Sequence, residues 1–175
     1  MKILKNVSGD FRRMLLATLF FGAVSGIFLS TLNNYLSEVH GFDAGHRGWL
    51  EFPRELPGFL IFIVVGFLLT HMRESRIAAL AMILTAAGAL GLGFLSPSVV
   101  LLVFWIVVWS MGDHIIFAVE GPLGLKLAKK GGEGRRLGQL GGARTLGVIM
   151  GVGSDWLLAK FVGDRYDLFY LVGGL

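Results

Sequence analysis

From Ile77 to Gly112 the chain runs for 36 residues without an Asp, Glu, Lys or Arg, and Met14 to Leu32 does the same over 19. A bilayer-spanning helix needs about 20 predominantly apolar residues. The shorter run therefore fits one span, and the longer fits two if something divides it. Ser96-Pro97-Ser98 does so. Over all 175 residues 54% are hydrophobic and 16% charged, against about 25% charged in a soluble domain, and the mean hydropathy is +0.71. The fold class is all-α integral membrane, a polytopic helical bundle. Lys2, Lys5, Arg12 and Arg13 precede the first run, but that run exceeds the roughly 7–15-residue core of a signal peptide and no small-x-small site follows it. It reads as an uncleaved span.

Apolar runs and turn signals predict helices over 12–34, 49–70, 76–95, 99–127 and 137–160, with the start of a sixth over 167–175. A polar loop is expected over 36–48, with Pro53 in the first turn of helix 2, where a proline costs no hydrogen bond. Helix 4 would span about 40 Å, enough to project beyond the bilayer. Alternate loops differ in charge. Lys2, Lys5, Arg12, Arg13, Arg73, Arg76, Lys126, Lys129, Lys130, Arg135 and Arg136 lie on the side of the N-terminus, and Arg47, Lys160 and Arg165 on the other. The bias predicts a multi-pass protein of the cell membrane with a cytoplasmic N-terminus, and it places Tyr35, Trp49, Trp156 and Tyr166 at the outer interface. The net charge of +4 follows this topology, so no nucleic-acid partner is expected. No cysteine is present, which excludes thiolate ligands and thiol nucleophiles. No cofactor or metal is expected.

Ionisable residues inside the spans are the candidates for function, because each is costly in a bilayer. Asp113, near mid-membrane on helix 4, and Glu120 are seven residues apart and lie within about 20° of one another on the helix. Asp113 reads either as a cavity-facing carboxylate for substrate or proton, or as a hydrogen-bonding tie to a neighbouring helix. His114 points about 100° away. Gly121-Pro122 should bend helix 4 near its end. Counted from the turn at Gly131, Glu120 and Arg144 reach similar depths, so Arg144 should pair with Glu120 first and Asp113 second, as a structural or a gating pair. Arg144, Gly151 and Asp155 share a face. At the other mouth Glu51, Arg54 and Glu55 share a face of helix 2, as a solvated intrahelical cluster or as an outer gate. Gly22 with Gly26, and Gly147 with Gly151, have the four-residue spacing of close helix contacts; packing and rocking surfaces are both open. Gly91-Leu92-Gly93 lies inside an apolar helix and is no nucleotide loop.

This arrangement resembles the N-terminal six-helix half of a major facilitator superfamily (MFS) transporter, over essentially the whole chain. In that family the turn between helices 2 and 3 reads roughly Gly-x-Leu-Ala-Asp-Arg-x-Gly-Arg. Here Gly66 and Leu68 are kept, Thr70 replaces the Asp, and Arg73 and Arg76 supply nearby basic residues. Gly138, Gly147 and Gly151 match the helix 5 spacing of antiporter members, with Val152 in place of the Pro, and Val108 stands where helix 4 often carries an Arg. The resemblance implies two six-helix bundles around a midplane site, exposed alternately to the two sides. It implies helices 1, 4 and 5 as cavity walls, placing Asn33, Asp113 and Arg144 toward substrate. Glu120 and Asp155 complete the implied substrate and ion pathway, and Gly66, Arg73, Arg76, Gly138, Gly147 and Gly151 the gating positions. Expected partners are the lipid bilayer, a small-molecule substrate with proton or sodium coupling, and a second six-helix half, so that the chain is expected to be a fragment. The function expected is secondary active transport by alternating access, not enzymatic. The rivals are a membrane-embedded enzyme using Asp113 and His114, and a non-transporting assembly subunit.

Overall fold

A computed structural model of the protein describes residues 9–163 and 165–175. Lys2 and Lys5 of the charge bias lie outside the described residues. Those described form α1 (Gly9–Glu38), α2 (Ala44–His71), α3 (Glu74–Phe94), α4 (Val99–Lys126), α5 (Glu133–Val162) and α6 (Tyr166–Gly174). The first five are long and apolar enough to cross a bilayer. The chain is thus of the multi-pass, all-helical membrane class.

α1, α2 and α3 begin earlier than apolar composition implies, α4 matches its expected bounds to within one residue, and α2 differs most. It starts at Ala44, not near Trp49, because Asp43 caps it: the Asp43 carboxylate accepts the His46 backbone N–H at 2.8 Å. That bond satisfies one of the donors a helix start leaves open. It also holds the Asp43 carboxyl below its ordinary value, helped by the His46 ring. The expected loop over 36–48 shrinks to 39–43, closed by the Phe42 N–H donating to the Leu36 carbonyl at 2.9 Å. Pro53 accordingly sits inside the helix with Pro57, not in its first turn. Tyr35 and Tyr166, expected near the outer interface, are buried within the bundle. Tyr35 donates to the Leu92 carbonyl at 2.9 Å and Tyr166 to Glu38 at 2.6 Å, so their hydroxyls are satisfied within the bundle. Trp49 and Trp156 are exposed.

The helices interleave. α1 packs against α5 and α6, α4 packs against α2 and α3, and α3 meets α6. Exchanging α1 with α4, α2 with α5 and α3 with α6 leaves these main pairings unchanged. The α1–α5 and α2–α4 pairs both run parallel: Gly22 and Gly26 meet Arg144 and Val148, as Arg54 and Gly58 meet Ser110 and His114. The α1–α6 and α3–α4 pairs both run antiparallel, with Gly173 by Ile27, and with Gly88 and Gly112 by Trp109 and Thr85. Helix starts repeat at about ninety residues, Gly9 with Val99 and Ala44 with Glu133. The described residues therefore contain two three-helix units, and an odd number of spans inverts the second relative to the first.

Small residues set the spacing. A Cβ at Gly88 or Gly91 would run into Trp109 or Trp105 of α4, and one at Gly112 into the α3 backbone. The Phe28 ring of α1 stacks on Trp109, centroids 3.4 Å apart. After α4 the chain reverses at Gly131, whose φ of +80° suits a residue without a Cβ.

Candidate functional site

The polar interior gathers where α1, α4 and α5 meet. Arg144 donates to Glu120 Oε2 from Nη2 at 2.8 Å and from Nε at 3.2 Å. Thr18 of α1 donates to the other carboxylate oxygen at 2.6 Å. The two charged side chains are 21% and 15% exposed, and the guanidinium lies 5.0 Å from the Phe21 ring centroid and 5.8 Å from that of Phe117. Depth counting favoured Glu120 over Asp113 as the partner of Arg144, and Glu120 is the partner in the structure. Asp113 is half-buried on the same side of α4, within electrostatic range of Arg144 and His114 and beside Ser25.

His114 faces the opposite way, toward α2. Its Nε2 lies 3.4 Å from Glu55 and its Nδ1 2.9 Å from the Ser110 carbonyl. Gly58 leaves the space the ring occupies. Ser110 donates to the Arg54 carbonyl. Asp113 and His114 thus serve different helix pairs and do not face one another as an acid/base couple would. Arg54 bridges Glu51 at 2.6 Å and Glu55 at 3.0 Å. The cluster is therefore intrahelical in its Arg54 contacts and interhelical only through Glu55 and His114.

The stripe Arg144, Gly151 and Asp155 lies along α1. Backbone of Leu19, Gly22 and Ala23 approaches Gly147 and Gly151 so closely that a Cβ at either would overlap it. Farther along, Ser30 lies 2.7 Å from Asp155 Oδ2. Asn33 is exposed on α1. Gly66 and Gly138 have open space where a Cβ would stand, so no close packing requires them. Arg73 precedes α3 beside Glu74, which pairs with Lys126 of α4; Arg76 lies in the first turn, its N–H donating to the Arg73 carbonyl at 2.9 Å. An apolar cavity of about 600 Å³ opens separately between α1, α3, α5 and α6, bordered by Phe20, Met82, Met150 and Val172.

Sequence reasoning missed Thr18, Ser25, Ser30 and Ser110. For α1 a signal was present: Thr18, Gly22, Gly26 and Ser30 recur every fourth residue, a small and polar stripe on one face.

Comparison with known proteins finds no matching family model, no matching curated protein and no matching solved structure.

Proposed function

We propose that this protein is a secondary transporter that carries a small solute by alternating access, built like the N-terminal six-helix half of an MFS transporter. The observation that carries this reading is the interleaving of two inverted three-helix units, in which α1 inserts into the second unit and α4 into the first. Inverted repeats are a recurrent plan of such carriers, with the binding site at the repeat interface. The Thr18–Glu120–Arg144 group supports it as well, because it joins the inserted helices α1 and α4 at their common partner α5.

In the proposed mechanism Arg144 and Asp113 offer fixed charges to a solute, and Glu120 competes with an anionic solute for the guanidinium. A second six-helix bundle closes the cavity from the side of α2 and α5, whose outer faces expose Phe52, Phe59, Phe62, Ile149 and Trp156. The N-terminus lies in the cytoplasm and the bundle in the cell membrane, in keeping with the charge bias.

Single cysteines at Asn33 and Gly138, introduced into this Cys-free sequence, test the reading. Solute-dependent changes of opposite sign in their access to an impermeant maleimide, together with solute flux in proteoliposomes, are expected. Fixed access at both positions and no flux for any tested solute class would refute it.

A further inference from the structure

Asp155 differs from every other carboxylate inside the bundle. Glu51 and Glu55 have Arg54, Glu120 has Arg144, and Asp113 has Arg144 and His114 within electrostatic range. Asp155 is 8% exposed and its partner is a neutral hydroxyl, Ser30 Oγ. Its Oδ1 is buried with no hydrogen-bond partner. The ionisable groups of the adjoining helices toward this end are the phenols Tyr35 on α1 and Tyr166 and Tyr170 on α6, and the Glu38 carboxylate of α1, which accepts from Tyr166. On α5 itself Lys160 turns away to lie 3.5 Å over the Trp156 ring. Arg165 and Asp167 pair with each other at 2.7 Å, and on α4 Asp113 and His114 belong to the Arg144 and Glu55 groups.

A buried carboxylate in a bilayer needs a compensating positive charge or a proton, and among the described residues no cationic side chain pairs with Asp155. The hydroxyl count points the same way. Ser30 has one proton and three acceptors in range: the Gly26 carbonyl at 2.9 Å, the Ile27 carbonyl at 3.1 Å and Asp155 Oδ2 at 2.7 Å. When the proton goes to Oδ2 the carboxylate has this one neutral hydrogen bond and Oδ1 none. When it serves the helix, two oxygens face each other at 2.7 Å, which a proton or cation between them relieves. Tyr170 Oη, buried beside the Thr31 hydroxyl, is within electrostatic range of Asp155. It adds a further oxygen, and no positive charge, to the same seam.

We infer that Asp155 is a binding site for a monovalent cation, a proton or a sodium ion, in the seam between α1, α5 and α6, with Ser30 Oγ as the neighbouring oxygen. In the proton form the carboxyl donates to Ser30 and releases its proton to water when the seam hydrates. In the sodium form the ion sits on the carboxylate, with the Ser30 hydroxyl as a neutral ligand. Use of the site for coupling rests on the transport reading; occupancy does not, and it is read without transport.

The full chain in nanodiscs separates the two ions. If sodium binds, NaCl raises the melting temperature where choline chloride at equal ionic strength does not, and Asp155→Asn removes the difference. If the proton binds, the wild type shows an infrared carbonyl band of a protonated carboxyl that Asp155→Asn removes. Asn matches the neutral carboxyl in shape, so this variant is expected to fold with a melting temperature no lower than the wild type. Ser30→Ala keeps the carboxylate and is expected to weaken the sodium response or shift the band. A wild type with neither a sodium response nor a protonated-carboxyl band overturns the inference. So does a band or response that persists in Asp155→Asn.

Discussion

Truncating Arg144 should strand Glu120. In Arg144→Ala the Glu120 carboxylate keeps the Thr18 hydroxyl but loses both guanidinium bonds and its only ion-pair partner among the described residues. Breaking a buried pair from one side costs about 3–5 kcal/mol. Exposures of 21% and 15% leave partial screening, which places the effect at the lower end, about 3 kcal/mol or two powers of ten in the unfolding equilibrium. Either change removes the guanidinium from beside Phe21 and Phe117, but alanine removes the apolar stem as well. Arg144→Met is therefore the better single change, because it retains the apolar stem. Combining it with Glu120→Gln should cost less than the sum of the single changes, with a coupling of about 0.5–3 kcal/mol. Reversible unfolding in mixed micelles, followed by far-ultraviolet circular dichroism, measures all four members of the cycle. Additivity within about 0.5 kcal/mol would refute the pair as an energetic unit, whatever its geometry.

Other outcomes follow from the same contacts. Gly147→Leu drives a side chain into the α1 backbone and should cost about 1–3 kcal/mol or more, whereas Gly138→Ala, which meets nothing, should stabilise by up to about 1 kcal/mol; the same unfolding assay reads both. A cysteine at Gly132 should resist an impermeant thiol reagent in intact cells while one at Gly41 reacts, and the reverse pattern would overturn the topology. The Asp43 carboxyl, held below its ordinary value by the His46 N–H, should stabilise the α2 start fully above the unfolded value near 3.9. That stability disappears as pH falls through the lower folded value. The gap between wild type and Asp43→Ala should therefore be present at pH 7 and close in acid.

The spans and the Arg144–Glu120 pair were legible because both follow from one-dimensional quantities, the length of apolar runs and depth from a turn. The start of α2 was not read correctly. Polar residues 44–48 suggest a loop when judged by hydropathy, although Asp43 with a helix-permissive stretch behind it was a capping signal. The burial of Tyr35 and Tyr166 was not legible, because an interfacial ring and a buried hydroxyl with a partner call for the same amphipathic residue. The Ser30–Asp155 contact was hidden for a different reason. A serine can satisfy itself on its own helix, so nothing in its position announces a partner on α5. The interleaving of the two units is a property of packing, since each three-helix unit alone reads as an ordinary succession of spans.

Lipid tails are as apolar as the side chains they touch, so burial alone does not set helix register in a bilayer. What remains is close backbone approach and polar contact, and the parallel pairs use both. In α1–α5 the contacts at Gly22, Gly26, Gly147 and Gly151 bring the backbones together. Thr18 with Glu120 and Arg144 fixes one end, and Ser30 with Asp155 fixes the other. In α2–α4 the His114 ring fills the space above Gly58, and Ser110 reaches the Arg54 carbonyl. A pair tied at two levels resists sliding, so rearrangement of the bundle belongs between such pairs rather than within them. The two ends of α1–α5 are nevertheless not equivalent. One carries its own counter-charge, while the other is complete only when a cation is bound. Occupancy at Asp155 would then decide whether the far end of this pair stays closed, giving an ion direct leverage on how rigidly α1 follows α5.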